Sequence, residues 1–135
     1  MQNFRNLEVW NKAHKLTLEV YRLTDDFPRS EMFGLTGQLR RSAASVGANL
    51  AEGCGRTQLE SARFIQIAFG SVSESEYHLL LARDLGFVNQ GDYERLTTEV
   101  LETKRMLSAL LKTIQLAEKS KRLINAAARS PKQLI

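Results

Sequence analysis

Apolar residues recur every three or four positions along almost the whole chain, and this spacing constrains the fold more than any other feature. Such spacing places side chains on one face of an α-helix, whereas a half-buried strand alternates every second residue. One stripe contains Val9, Ala13, Leu16, Val20 and Leu23. Another contains Leu96, Val100, Thr103, Leu107, Leu110, Ile114 and Ala117. With no convincing alternating strand, the pattern predicts an all-α fold.

Turn residues separate the first two predicted helices. The first helix is predicted over about residues 7–24, and Pro28 ends the turn that follows it, because the residue before a proline avoids helical angles. The second helix is predicted to start near Ser30 or Glu31, where a serine can cap the free amides. It is predicted to stop at Gly53, since glycine suits the residue that follows a helix.

Capping signals also mark the last two helices. Thr57 and Glu60 have the spacing of a capping box, which predicts the start of a third helix that runs to about Leu85. Asp92 is predicted to cap the fourth helix. The periodic pattern of this helix fades after about Ile124. Four amphipathic helices with short connections predict an antiparallel up-down bundle.

The length of 135 residues fits one domain, which we assign to residues 1–124, with a basic flexible tail at residues 125–135. No apolar run approaches the roughly 18 residues that a membrane span needs. The first residues lack the apolar core of a signal peptide. Cys54 is the only cysteine, so an internal disulfide and multi-cysteine zinc sites are excluded. We expect a cytoplasmic protein without a membrane partner.

The net charge of +4 conceals an asymmetry along the chain. Residues 1–103 hold 11 basic and 14 acidic residues, whereas residues 104–135 hold 8 basic residues and 1 acidic residue. A basic segment attracts polyanions, and nucleic acid is the leading candidate. A merely solvated charged face is the alternative. The basic candidates at this end are Lys112, Lys119, Lys121 and Arg122.

Residues that enzymes use for catalysis are sparse. His14 and His78 are the only histidines, and they fall on different predicted helices. No nucleophile elbow, phosphate-binding loop or dinucleotide-binding glycine pattern is present. A di-metal bundle needs two Glu-x-x-His repeats, whereas Glu74 and His78 are four apart and have no second copy. We therefore expect no enzymatic activity, no cofactor and no metal site.

Polar residues follow one flank of the second helix and border the apolar face of the third. Because buried polar groups need partners, a structural network is favoured over a ligand or nucleic-acid groove. The residues assigned to this network are Arg41, Asn49, Glu52, Glu76 and Arg83. One of the two arginines is predicted to pair with Glu52 or Glu76.

Small residues form a stripe on the second helix, nearly opposite its apolar face. The stripe contains Gly37, Ala44, Ala48 and Ala51. A glycine inside a helix costs about 1 kcal/mol relative to alanine, and close backbone approach is the usual compensation. We therefore predict a homo-oligomer that packs partly through this stripe. An alanine-rich face in contact with solvent is the alternative.

Several segments resemble a known family. They are Leu7–Trp10, Phe27–Glu31, Gly34–Ser42, Ala48–Gly53, Gly55–Arg56 and Ala68–Ser71. These segments resemble the small four-helix-bundle proteins first met in intervening sequences of bacterial 23S ribosomal RNA genes. The resemblance spans about residues 4–111. Departures from the common pattern include Gly47 in place of proline, Ser75 in place of leucine and Gly37 in place of serine.

The resemblance implies an up-down bundle that assembles into a ring-like homopentamer. A related accessory variability determinant protein of diversity-generating retroelements works with a reverse transcriptase and RNA. The first hypothesis is therefore a non-enzymatic oligomeric scaffold that binds RNA or DNA. The alternative is an adaptor that docks a polymerase or reverse transcriptase without touching nucleic acid. Candidate nucleic-acid contacts on the bundle are Arg40, Arg41 and Arg56, in addition to the four basic residues near the C-terminal end.

Overall fold

The computed structural model describes residues 3–129, which form four helices joined by short connections. The helices are α1 (Glu8–Thr24), α2 (Leu35–Gly53), α3 (Gln58–Asp84) and α4 (Gln90–Arg129). Single 3-10 turns, Phe4–Asn6 and Arg29–Glu31, precede α1 and α2. No strand occurs in this part of the chain. The predicted all-helical class is confirmed.

The helices pack in chain order around one core. α2 lies between α1 and α3, and α4 contacts both α3 and α1. Lys12 pairs with Glu99 at 2.8 Å and Glu19 pairs with Arg95 at 2.5 Å, so α1 and α4 run in opposite directions. The largest fully buried apolar side chains are Val20, Leu39, Val46, Leu50, Val72, Leu79, Leu96, Val100 and Leu107. They come from all four helices, as an antiparallel bundle requires.

α2 begins at Leu35, so the predicted start at Ser30 or Glu31 is wrong. The backbone of Gly34 has φ −109° and ψ −118°, which is outside the helical region. This residue separates the 3-10 turn that ends at Glu31 from α2. The Leu35 N–H donates a hydrogen bond to Glu31 Oε1 at 3.1 Å. A carboxylate from the preceding turn therefore caps the free amide at the start of α2.

One of the two predicted caps is correct and the other is wrong. The Glu60 N–H donates to Thr57 Oγ1 at 3.3 Å, which confirms Thr57 as the cap of α3. α4 begins at Gln90, before the predicted cap Asp92. The Asp92 N–H donates to Asn89 Oδ1 at 2.7 Å, so Asn89 supplies the capping oxygen. Asparagine and aspartate are both good N-cap residues, so residue type does not distinguish Asn89 from Asp92. The residue at which the backbone enters the helix decides which of them caps it.

Ser75, which stands where the resembling family commonly has leucine, lies in the bundle interior. Ser42 and Ser75 are both buried, and their Oγ atoms are 2.9 Å apart. Leu39 O lies 3.1 Å from Ser42 Oγ, and Ser71 O lies 3.0 Å from Ser75 Oγ. Each hydroxyl has a single proton, so one serine donates to the other serine and the second donates to its backbone carbonyl. The two hydroxyls satisfy each other between α2 and α3, so neither is a buried group without a partner.

α4 has 40 residues, whereas α1 has 17. The last buried residue of α4 is Ile114, and the helix continues as far as Arg129. The helix therefore continues past Ile124, where its periodic pattern fades. The helical part of the predicted tail is exposed, and residues 130–135 of that tail lie outside the described residues. At 1.5 Å per residue, α4 is about 60 Å long and extends beyond the end of the bundle.

Candidate nucleic-acid interface

Basic side chains near the end of α4 are the most accessible of the candidate nucleic-acid contacts. Lys112, Lys119 and Lys121 are exposed, and none has a carboxylate within ion-pair distance among residues 3–129. Arg122 Nε lies 3.7 Å from Glu118 Oε1, but the arginine side chain remains 67% exposed. Lys112 and Lys119 are seven residues apart and share one side of the helix, whereas Lys121 lies on another side. The cations therefore surround the helix end.

Arg40, which the sequence placed among the nucleic-acid contacts, is built into the bundle. Its Nε donates to Thr24 Oγ1 at 2.7 Å, and its Nη2 donates to Asp25 Oδ1 at 3.1 Å. The guanidinium also lies over the Tyr21 ring, 4.7 Å from the centroid. Only 20% of the side chain is exposed. Arg40 ties α2 to the end of α1, so it is a poor candidate for a phosphate contact.

Arg41 belongs to a polar cluster that joins α2 and α3. Its Nη2 donates to Gln38 Oε1 at 2.9 Å and forms an ion pair with Glu74. His78 Nε2 lies 3.1 Å from the same carboxylate oxygen of Glu74. The hydrogen bond from His78, together with the Arg41 guanidinium, holds the pKa of Glu74 below its ordinary value. His78 is mostly buried, and its Nδ1 has no hydrogen-bond partner within the described chain.

Arg56 is held at the turn between α2 and α3. It forms an ion pair with Glu52 one helical turn earlier, and its Nε donates to the backbone carbonyl of Glu52 at 3.2 Å. Its guanidinium also lies 5.5 Å from the centroid of the Phe64 ring. All three arginines that the sequence nominated on the bundle therefore already have a carboxylate partner. Their attraction for phosphate is correspondingly reduced.

The prediction that one of the two network arginines pairs with Glu52 or Glu76 is wrong. Glu76 pairs with Lys104 at 2.9 Å, between α3 and α4. Arg83 pairs with Asp84 at 3.0 Å and lies over the Tyr93 ring. The five assigned residues are thus divided among separate local contacts. The spacing indicated which side chains lie on a flank, but the rotation of the neighbouring helix decided which carboxylate meets which cation.

Hydroxyl and amide groups complete the seam between α2 and α3. Ser45 Oγ and Ser71 Oγ are 2.9 Å apart. Asn49 Nδ2 donates to Ser45 O at 2.8 Å and to Ser45 Oγ at 3.0 Å. Asn49 therefore bonds to a serine one helical turn earlier on α2, and Ser45 in turn contacts α3. The sequence assignment missed Ser71, although serines spaced along one edge of each helix were the available signal.

The small-residue stripe forms part of a groove between α1 and α2. The groove has a volume of about 240 Å³ and is lined by Phe4, Trp10, His14, Thr17, Ala44, Gly47, Ala48 and Ala51. The Trp10 and His14 rings stack, with centroids 4.9 Å apart and an angle of 8° between their planes. Ala44 and Ala48 are exposed. Three of the four predicted interface residues thus share one concave surface.

Gly37, the fourth predicted interface residue, lies outside this groove. A Cβ at this position would lie 2.9 Å from the backbone oxygen of Met32. The turn before α2 therefore approaches the helix closely at Gly37. A contact within the chain accounts for this glycine, so it is no longer an argument for a second copy.

The groups with catalytic potential are dispersed. His14 stacks on Trp10 of α1, whereas His78 lies on α3 beside Glu74. Burial raises the pKa of the Cys54 thiol, which is therefore not activated as a nucleophile. Within residues 3–129, no three side chains of His, Cys, Asp or Glu are grouped so that they could hold a metal ion. No helix in this range is long and apolar enough to cross a bilayer.

The residues of the bundle match a known protein family. The family described as 23S rRNA-intervening sequence protein matches residues 5–109. The chain belongs to this family. The match extends from the 3-10 turn before α1 to the middle of α4, so it includes the three bundle arginines and every groove residue except Phe4. The final turns of α4, where the accessible cations lie, come after it.

A solved structure supports the fold of this 23S rRNA-intervening sequence protein. It is the crystal structure of a protein of unknown function from the S23 ribosomal protein family of Bacteroides thetaiotaomicron. The TM-score is 0.72 at 23% sequence identity, over 77% of this chain and 95% of that chain. No curated protein matches the chain.

Proposed function

We propose that this protein is a non-enzymatic, homo-oligomeric scaffold that binds RNA or DNA through the basic end of α4. One observation carries the proposal. Lys112, Lys119 and Lys121 are exposed and outside the ion pairs of the described chain, whereas Arg40, Arg41 and Arg56 each pair with a carboxylate. Unpaired cations can exchange their counterions for phosphate without first breaking a contact within the protein.

The chemistry of this helix end favours contacts with the phosphate backbone. Residues 112–129 contain no aromatic side chain on which an unpaired base could stack. Lysines provide point charges without the planar fork that reads base edges. Binding should therefore show little sequence preference and a steep dependence on salt concentration.

We include self-association in the proposal because an oligomer presents several copies of a basic patch that binds weakly by itself. The groove between α1 and α2 presents exposed Ala44 and Ala48 beside the stacked rings of Trp10 and His14. Small residues allow a second copy to approach closely. The family resemblance implies a pentameric ring, in which five helix ends would contact one nucleic acid. Such multivalency raises the overall affinity without any new contact.

The test is a fluorescence-anisotropy titration of labelled RNA and duplex DNA at about 50 mM and about 200 mM salt. The test variant replaces Lys112, Lys119, Lys121 and Arg122 with glutamine. The matched control replaces Lys15, Arg22, Arg29 and Arg63 with glutamine, which are exposed on the bundle outside its ion pairs. Both variants lose four charges, so only the position of the charges differs.

We expect the α4 variant to reduce the salt slope for duplex DNA by up to about 3.6, if all four cations contact phosphate. The control variant should retain most of the wild-type slope. Absence of binding to RNA and DNA at the lower salt concentration would eliminate the proposal. Equal losses of nucleic-acid binding in the two variants would contradict the proposal, because net charge alone would then account for the binding.

A protein–protein adaptor is the second candidate. Phe33 is 99% exposed beside the half-exposed Met32, in the connection between α1 and α2. Large apolar side chains in this position are typical of surfaces that contact another protein. An adaptor would dock a polymerase or reverse transcriptase here without direct contact with nucleic acid. Capture of such an enzyme that survives nuclease treatment and is lost in Phe33→Ser would favour this candidate.

A further inference from the structure

The end of α4 carries an uncharged sector that no other helix covers. At 100° per residue, seven residues fall within about 120° of the helix circumference. They are Thr113, Leu116, Ala117, Ser120, Leu123, Ile124 and Ala127, and all are exposed. Leu116, Leu123 and Ile124 are 55%, 63% and 68% exposed. We call these seven residues the uncovered sector.

α1 does not extend along the uncovered sector. α1 lies against this side of α4, and the groove between the start of α1 and α4 includes Leu7, Met106, Ala109 and Leu110. α1 begins at this level, so no helix remains to cover the same side of α4 beyond it. On another side, the start of α3 borders α4 as far as Arg122. Within the bundle this side of α4 is partly covered, since Met106 and Leu110 are half-buried whereas Arg105 and Ala109 are exposed.

The spacing within the sector is that of a surface that packs against another helix. Thr113, Leu116, Ser120, Leu123 and Ala127 follow one another at intervals of three and four. This is the spacing of the two inward positions of a coiled coil, with leucine repeated every seventh residue. Small residues alternate with the two leucines and leave space for side chains of a partner helix. Residues 112–129 contain neither Trp nor Phe, which are aromatic residues that anchor many helices at lipid surfaces.

The charges beside the sector indicate the chemistry of the partner. Lys112 and Lys119 lie along one edge of the sector, and Lys121 lies near the other. The only carboxylate of this segment, Glu118, is on the far side of the helix beside Arg122. The same sector of a second copy would bring more lysines and no carboxylate to these edges. Complementarity requires a partner that supplies acidic side chains.

We infer that the uncovered sector binds an amphipathic helix of another protein, with apolar residues at the coiled-coil positions and acidic residues on both flanks. This inference goes beyond the proposed function, because it assigns a protein partner to the uncharged side of the helix. The apolar side chains bury surface and hold the partner, whereas the lysines select its charge.

The probe is a labelled synthetic helix of three heptads with leucine and isoleucine at the inward positions and glutamate on both flanks. Repulsion between like charges keeps this peptide monomeric at neutral pH. A second peptide with lysine on both flanks is the matched control. We expect the full chain to bind the acidic peptide at least tenfold more tightly than the basic peptide. Replacement of Lys112 and Lys119 with glutamate should reverse that preference.

The double variant Leu116→Gln/Leu123→Gln should weaken binding of the acidic peptide at least tenfold and leave nucleic-acid binding unchanged, because it alters no charge. Leu101→Gln, at another half-exposed leucine of α4, is the control and should retain peptide binding. The two proposals can therefore fail separately. A wild-type oligomer that Leu116→Gln/Leu123→Gln dissociates would overturn the inference, since a second copy would then cover the sector. Equal binding of both peptides, no binding of the acidic one, or leucine-dependent binding to phosphatidylserine vesicles would also overturn it.

Discussion

At the scale of single residues, the positions that the sequence made conspicuous mostly serve the chain itself. Arg40, a candidate phosphate contact, bridges Thr24 and Asp25 at the end of α1. Gly37 was a candidate interface residue, and it instead permits close approach of the Met32 carbonyl. The same residue type can serve either role. Only the identity of the nearest atoms decides between them.

Gly37→Ala should destabilise the protein, because the new Cβ would meet the backbone oxygen of Met32 at 2.9 Å. We expect a loss of about 1–2 kcal/mol in the free energy of unfolding, measured by chemical denaturation. Gly70→Ala is the control, since a Cβ there meets nothing within 4 Å. That variant should gain up to about 1 kcal/mol from higher helix propensity. Equal effects of the two substitutions would contradict the assigned role of Gly37.

Glu74→Gln should change how stability depends on pH. The pKa of Glu74 is lowered in the folded state, so the folded protein binds fewer protons than the unfolded chain near pH 4. The resulting stabilisation is present above the unfolded-state pKa of about 4.3 and is lost as the pH falls through the lower folded-state value. Because Glu74 is 38% exposed, we expect a difference of less than about 1 kcal/mol at neutral pH.

The measurement is urea denaturation of the wild type and Glu74→Gln between pH 3 and pH 7. The difference in unfolding free energy should shrink towards the acidic end. Glu60→Gln, at an exposed glutamate outside the ion pairs, is the control and should preserve the wild-type profile. A difference that stays constant over the whole range would show that protonation of Glu74 does not contribute.

At the scale of helices, periodicity identified each element and local backbone geometry set its ends. α2 and α4 both begin at positions other than those that the best capping residue indicated. At the end of α3, Gly86 adopts φ +82°, and the Phe87 N–H donates to Ala82 O at 2.9 Å. This bond satisfies a carbonyl at the helix end, which explains why α3 stops next to Gly86, close to the predicted end at about Leu85.

Asn89→Ala should destabilise the protein more than Asp92→Ala. Asn89 Oδ1 accepts the Asp92 N–H at 2.7 Å, and its loss leaves a free amide at the start of α4. We expect a cost of about 1 kcal/mol for Asn89→Ala. Asp92→Ala removes a charge from the first turn and should cost less than that. Thermal denaturation of both variants measures which substitution costs more stability. A larger loss of stability for Asp92→Ala would identify Asp92 as the cap of α4.

At the scale of the whole molecule, two exposed surfaces of the bundle are candidates for contacts with other molecules. The groove between α1 and α2 combines exposed small residues with stacked rings, and the end of α4 combines lysines with uncharged side chains. The first underlies the proposed self-association and the second underlies the proposed contacts with other macromolecules. They lie on different helical surfaces, so each can be altered while the other is preserved.

Self-association through the groove predicts a multiple of the 15.3 kDa chain mass in light scattering, and a pentamer predicts five times that mass. Ala48→Glu places a charge in the groove and should lower the measured mass towards one chain. Gln66→Glu, at an exposed position of α3, adds the same charge elsewhere and should leave the mass unchanged. A wild-type monomer at micromolar concentration would rule out the oligomer.

The sequence by itself determined the helical class, the number of helices, most of the core and the uneven distribution of charge. These properties are local or additive, because apolar spacing fixes which face of each helix is buried and composition fixes the charge of each segment. The tertiary structure decided which of the cations are paired, as when Arg41 meets Glu74 rather than a predicted partner. It also placed the start of α1 beside Met106 and Leu110, so α1 does not extend alongside Leu116 and Leu123. These contacts depend on the rotation and the axial position of each helix relative to its neighbours. The sequence of a single helix does not determine either quantity.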